Sequence, residues 1–300
     1  MLTHKEWQGN TSGTTWMHKA LIRIFRKTDL RYIYVLMAVF VIPFYLVFSH
    51  KGYIAIYHYF RQRHGFGIWK SFRYTYLNHY RFGQIILDRF AAYAGQHFRF
   101  EIDGNETFLD LLKSDDGFVI LSCHIGNYEM AGYTLQSLSK RYNALVFPGE
   151  AATVMENRNS LLSENNIHII PVGDDMSHVF EINNALANGE IVSIPGDRVF
   201  GSPRVIDCTL LGAEAPLPYG PYAMAVQRDV PVIAMFVMKQ AAYCYKIYVR
   251  KLNAIENNEA LPKKQKITAL ANCFAKELEG ILRKYPEQWF NYYEFWHERG

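Results

Sequence analysis

"LSCHIGNYEMAG", residues 121–132, decides how the rest of the chain reads. An apolar run, residues 118–121, leads into Cys123 and His124, then a Gly–Asn pair, then Glu129. A short apolar run of this kind reads as a buried strand. In an open α/β sheet, ligands sit outside the carboxyl ends of the strands, and His124 falls at such an end. Gly126 permits a tight turn, and Asn127 suits the N-cap of a following helix. Two residues five apart on one helix point about 140° away from each other. His124 and Glu129 therefore meet only if the histidine lies in the loop and the carboxylate in the first helical turn. In that arrangement Glu129 holds one imidazole nitrogen and leaves the other free as a base. An unperturbed imidazole titrates near ~6.5, close to working pH. The bland alternative is a satisfied histidine that ends a strand, because H-x4-E is short. A metal reading needs further ligands. His168 and His178 are available, but no HExxH or tight cluster occurs, so no metal is expected.

Outward from this stretch, short apolar strands alternate with helices. The strands are expected at residues 118–123, 144–147, 168–172 and 191–194, and the helices between them at 128–139, 153–164 and 176–187. Such alternation predicts an α/β fold with a mixed, largely parallel central sheet flanked by helices. Residues 205–211 and 230–239 add strands, and 243–251 pairs with the latter as a hairpin. A helix over 264–284 and an irregular aromatic tail, "PEQWFNYYEFW", follow. Ahead of the sheet, residues 16–96 read as helical, with Phe82, Ile86, Phe90 and Tyr93 at helical spacing. Asn105 is expected to cap a short helix through Leu112, closed near Gly117.

Residues 32–48, "YIYVLMAVFVIPFYLVF", carry no charge. Seventeen residues is the short end of what crosses a bilayer. The polar stretch ahead of it is too long for a signal peptide, and "SHKGY" offers no small-residue cleavage site. Arg23, Arg26, Lys27 and Arg31 precede the run, and Lys51, Arg61 and Arg63 follow it. Bases on both flanks fit a helix in the headgroup layer as well as a spanning one. Pro43 is expected to kink it. The rival is a buried core helix. The division expected is a membrane-associating helical segment over residues 1–60 and an α/β domain over 61–300.

Composition bounds the rest. Of 300 residues, 50% are hydrophobic and 15% aromatic, enough for one large core. A net charge of +4 suits a membrane surface or anionic substrates, and the absence of an Arg/Lys tract interleaved with aromatics argues against nucleic acid. Cys123, Cys208, Cys244 and Cys273 are scattered without a CxxC, which reads as reduced, packed thiols.

"HIGNYE" (124–129) resembles the H-x4-D/E motif of the lysophospholipid acyltransferase superfamily, in the form found in bacterial relatives of the late lipid A acyltransferases. "IPGDRVFG" (194–201) is similar to that family's second block, and "APLPYGPYAMAVQRDVPVIAMFVMK" (215–239) to its third. The N-terminal "WQGNTSGTTW" and the closing "WFNYYEFW" resemble the same branch. The resemblance spans nearly the whole chain in order. It implies a glycerolipid acyltransferase-like fold and transfer of a fatty acyl group from an acyl carrier protein or coenzyme A thioester. The acceptor is a hydroxyl or amine of a lipid or glycolipid, with no resident cofactor. The location implied is the cytoplasmic face of a bacterial inner membrane. Carried over, His124 is the general base and Glu129 its partner. Asn127, Asp197, Arg198, Gly201, Gly220 and Pro221 fall in the substrate-binding blocks. Arg198 suits a phosphate clamp, and backbone N–H groups near Gly126 or Gly201 suit a developing oxyanion. Phe200, Leu210 and Leu211 are candidates for an acyl groove. The rival functions are a thioesterase or metal-assisted hydrolase on the same histidine and a silent lipid-binding protein on the same fold.

Overall fold

A computed structural model describes residues 15–48, 52–130, 139–146, 167–172, 177–199, 204–254 and 260–296. The helical expectation for residues 16–96 resolves into α1 (Thr15–Phe25), α2 (Leu30–Leu36), α3 (Ile42–Phe48), α4 (Tyr53–His58) and the long α5 (Ile68–Tyr93). Asp29 caps α2, its side chain accepting from the Arg31 N–H. Between α2 and α3 the helix widens into a π turn, Met37–Val41, in which the Ile42 N–H reaches back to the Met37 carbonyl. Pro43 explains the position of this turn. Its ring cannot donate and would crowd the carbonyl four residues back, and a widened turn relieves that crowding without ending the helix.

The sheet follows. β1 (Arg99–Asp103) leads into α6 (Asn105–Lys113) and β2 (Phe118–Ser122), then β3 (Tyr142–Val146), β4 (Ile167–Pro171), α7 (Ser177–Ala187) and β5 (Ile191–Pro195). A hairpin of β6 (Val205–Leu210) and β7 (Ala213–Pro218) comes next, then α8 (Tyr219–Arg228), β8 (Val232–Ala241), β9 (Cys244–Lys251) and α9 (Lys263–Lys284). Seven of these strands form one sheet in the order β1-β9-β8-β2-β5-β3-β4. Every pairing in it is parallel except β8 with β9, so the expected mixed, largely parallel sheet is present. The helices expected over 128–139 and 153–164 fall mostly outside the described residues.

β2 shows why the opening stretch is a strand. All five of its residues are buried. Val119 and Leu121 pack into one core with α8 and α9, and Phe118 and Ile120 into a second core with Phe108 of α6. Alternate residues thus feed two cores on opposite faces, and each fully buried apolar side chain contributes about 1.5–3 kcal/mol. The helix after β1 is capped differently from expectation. Gly104, at φ +91°, takes the N-cap and Asn105 is the first helical residue. A Cβ at Gly104 would meet the Val249 carbonyl oxygen at 2.3 Å, so only glycine fits against β9. Gly117 opens β2 and does not close α6, which ends at Lys113.

Candidate active site

His124 and Asp197 meet because their strands are in register. β2 and β5 are adjacent and parallel, with Ser122 opposite Pro195. Each chain then runs two residues past its strand end, to His124 on one side and Asp197 on the other. The Gly196 N–H donates to the Ser122 carbonyl at 2.8 Å and carries the pairing one step beyond the strands. Asp197 is fully buried. Its Oδ1 lies 2.9 Å from His124 Nδ1, and its Oδ2 accepts the His124 backbone N–H at 2.9 Å. One carboxylate therefore fixes both the ring and the backbone of the same residue. Burial pushes the Asp197 carboxyl upward. His124, by charge and hydrogen bond, and the Arg198 guanidinium outweigh it and hold the pKa below the usual value. With the carboxylate ionised, Nδ1 carries the proton and Nε2 presents its lone pair. Burial lowers the imidazole pKa, with Arg198 adding to that and Asp197 opposing it, so the net direction is down and the neutral ring prevails near pH 7. The histidine side chain is 22% exposed, and no hydrogen bond from a described residue reaches Nε2.

The expectation that Glu129 holds the imidazole is corrected. Glu129 instead pairs with Arg89 of α5, Oε1 to Nη1 at 3.1 Å. The intervening loop accounts for this. Gly126 sits at φ +57°, and a Cβ there would meet the Val237 carbonyl oxygen of β8 at 2.1 Å. The Asn127 N–H donates to that same oxygen at 2.8 Å, and the Gly126 N–H to the Gln288 carbonyl at 2.8 Å. The chain is thus pressed against β8 before Glu129 is reached, and Glu129 is directed to α5. The Gly126 N–H is consequently spoken for, so it does not serve as the oxyanion donor suggested from sequence. Asn127 is fully buried, with Nδ2 donating to the Tyr245 hydroxyl at 3.2 Å, which ties the loop to β9.

The aromatic tail, a short 3-10 helix over Pro286–Gln288 and irregular beyond it, closes the back of the site. The Phe290 N–H donates to the His124 carbonyl at 3.1 Å. Arg198 donates through Nε to Asn291 Oδ1 and through an Nη to the Phe290 carbonyl, each at 2.9 Å. Its role as a clamp on the tail was not foreseen, and neither were the parts played by Arg89 and by Gln288–Asn291. The Pro218–Pro221 turn starts α8, with Gly220 exposed. What joins this helix to the site is Tyr222, whose hydroxyl donates to the Gly196 carbonyl at 2.7 Å. Gly201 and Phe200 lie outside the described residues. Leu210 and Leu211 are core residues, not groove-lining ones. Cys123 is buried, and burial raises its thiol well above the ordinary value, which suits packing and not nucleophilic attack. Among the described residues no three His, Cys, Asp or Glu side chains converge as metal ligands do.

At the carboxyl ends of the central strands of an α/β sheet packed on both faces, a buried carboxylate thus fixes the orientation of a histidine. The model of the family "Bacterial lipid A biosynthesis acyltransferase" matches residues 88–297, and the chain belongs to that family. It is an acyltransferase acting on lipid. A search of curated proteins found no match.

Proposed function

We propose that the protein moves a fatty acyl group from an acyl carrier protein or coenzyme A thioester to a hydroxyl or amine of a lipid or glycolipid, with His124 as general base and Asp197 as the carboxylate that orients it. The observation that carries this reading is the two-point grip of Asp197 on His124, which leaves Nε2 free. The acceptor O–H or N–H gives its proton to Nε2 as its heteroatom bonds to the thioester carbon. The resulting tetrahedral oxyanion collapses, the C–S bond breaks, and the leaving thiolate takes the proton back from the imidazolium. Asp197 stabilises that imidazolium during its brief existence. The thioester is a co-substrate, and no resident cofactor or metal is required.

The reaction is assigned to the cytoplasmic face of a bacterial inner membrane, where a thioester donor and a lipid acceptor meet. Support comes from the helix Leu30–Phe48, long and apolar enough to engage a bilayer and mostly uncovered by the rest of the chain. The test uses a labelled acyl thioester with a lipid acceptor. His124→Ala is expected to lower turnover by about 10²–10⁴-fold while the protein still folds and vesicle binding stays unchanged. Near-normal transfer by that variant would sink the mechanism. Release of free fatty acid without acylated lipid would replace it with the hydrolase reading.

A further inference from the structure

We infer that the helix Leu30–Phe48 lies in the plane of the membrane surface, one face docked on α5 and the other in lipid, and does not cross the bilayer. The inference rests on the membrane association proposed above and says how it is achieved.

The docked face runs the length of the helix. The Tyr34 hydroxyl bonds to Asp88. Met37 fills the space over Gly83, where a Cβ would meet its Sδ at 2.5 Å. The Ala38 carbonyl accepts from the Tyr76 hydroxyl at 2.7 Å, and the Tyr45 ring lies 5.8 Å from His79. The contacts move from Asp88 and Gly83 at Tyr34 and Met37 to Tyr76 and His79 at Ala38 and Tyr45, so the two helices are antiparallel neighbours. The stripe packed on α5 runs through Tyr34, Met37, Ile42 and Leu46. Its steps are three, five and four residues. The step of five falls across the π turn, which has more residues per turn and so returns Ile42 to the α5 side.

The opposite face is apolar and uncovered. Tyr32, Val35, Val39, Phe40, Phe44 and Phe48 are each 57–72% exposed. Soluble proteins rarely leave so large a contiguous apolar surface to water. A bilayer is the occupant that fits, because Arg23, Arg26, Lys27 and Arg31 lie exposed at one end and Arg61, Lys70 and Arg73 lie exposed beyond the other, placed for anionic headgroups.

Crossing the bilayer would need all sides of the helix in hydrocarbon. The docked side would then carry α5 with it, including His79, Arg81 and Asp88. α5 in turn holds the tail, through Asn78 Nδ2 to the Trp289 carbonyl at 2.6 Å and Phe82 against Phe290. A charged side chain such as Arg81 costs about 2.5–3.5 kcal/mol or more at the bilayer centre. Lying flat sinks only the outer face, to a depth of about 5–10 Å.

The experiment places single cysteines at Val35, Val39, Phe44 and Val47 in a full-length background whose four native cysteines are replaced by alanine. Each variant is spin-labelled and bound to vesicles of phosphatidylethanolamine and phosphatidylglycerol. Depth is read from collision with oxygen and with a water-soluble nickel complex. The expected result is one shallow depth for all four sites. A depth that peaks at Val39 and falls towards Val35 and Val47 means a crossing helix and overturns the inference. Labels that stay aqueous on protein that floats with the vesicles also overturn it, while leaving membrane association standing elsewhere on the surface. Failure to float at all removes the membrane reading itself, and this inference with it.

Discussion

His124 and Asp197 are 73 residues apart, and a one-residue shift in the β2–β5 register would separate them. Asp197→Asn leaves the shape of the site but removes the charge and permits the wrong imidazole tautomer. We expect turnover to fall by up to about 10⁴-fold, with Glu129→Gln costing much less, measured side by side under saturating donor. The reverse order would restore Glu129 as the working partner. The pH profile gives a second check. Burial and Arg198 hold the imidazole below its ordinary value, so the acid limb of kcat/KM is expected below ~6.5. Asp197 is the group that raises it, so in Asp197→Asn the limb moves further down as the plateau falls. Stability follows the same sign. The folded pKa is depressed, so the histidine's contribution is complete above ~6.5 and is lost as pH falls, because the unfolded chain takes the proton first. Both residues were visible in the sequence as motif residues, and their partnership was not. The sequence places Glu129 near His124 in the chain, whereas the carboxylate that reaches Nδ1 is set by which strands are neighbours.

The parallel strands were legible because burial on both faces leaves long apolar runs, and the hairpin because β8 and β9 are separated by a tight turn. Two strands escaped for physical reasons. β1 is an edge strand with alternating exposure, so Arg99 and Glu101 interrupt its apolar signal. β7 contains Pro216 and Pro218, which normally demote a strand, but it pairs only with β6 and has an edge on which no N–H is needed. Elements also meet through a polar cluster no local pattern announces. Lys239 of β8 and Asp88 of α5 form an ion pair with both side chains at 0% exposure. Tyr34 of α2 and Tyr245 of β9 bond to the same carboxylate, and Tyr245 accepts from Asn127. Lys239→Met strands a buried carboxylate, and we expect it to cost about 3–5 kcal/mol in chemical denaturation. Adding Asp88→Asn should recover part of that loss. A double variant no more stable than the single one would show that packing, and not the charge pair, holds these elements.

For the whole molecule, the decisive surface is the apolar face of the first long helical stretch. Val41 and Phe44 are 56% and 64% exposed, so replacing both with Asp removes no core contact. We expect the Val41→Asp, Phe44→Asp variant to leave the vesicle fraction on flotation, to lose activity on bilayer lipid and to keep activity on a short water-soluble acceptor. Loss of both activities would place this helix in the folding core after all. Sequence alone favoured a membrane-associating helix over a core helix but left its depth open; the positions covered by α5 show which face is left uncovered. A different consequence attaches to residues 286–291. They are made after every strand of the sheet, yet they hold the carbonyl of His124, the N–H of Gly126 and the guanidinium of Arg198. Synthesis runs at about 5–20 residues per second and domains organise from the N-terminus. The bilayer-seeking helix therefore emerges many seconds before the reactive histidine can be locked in place. We expect a chain ending before Pro286 to reach vesicles as the full chain does and to transfer no acyl group, read by flotation beside the transfer assay.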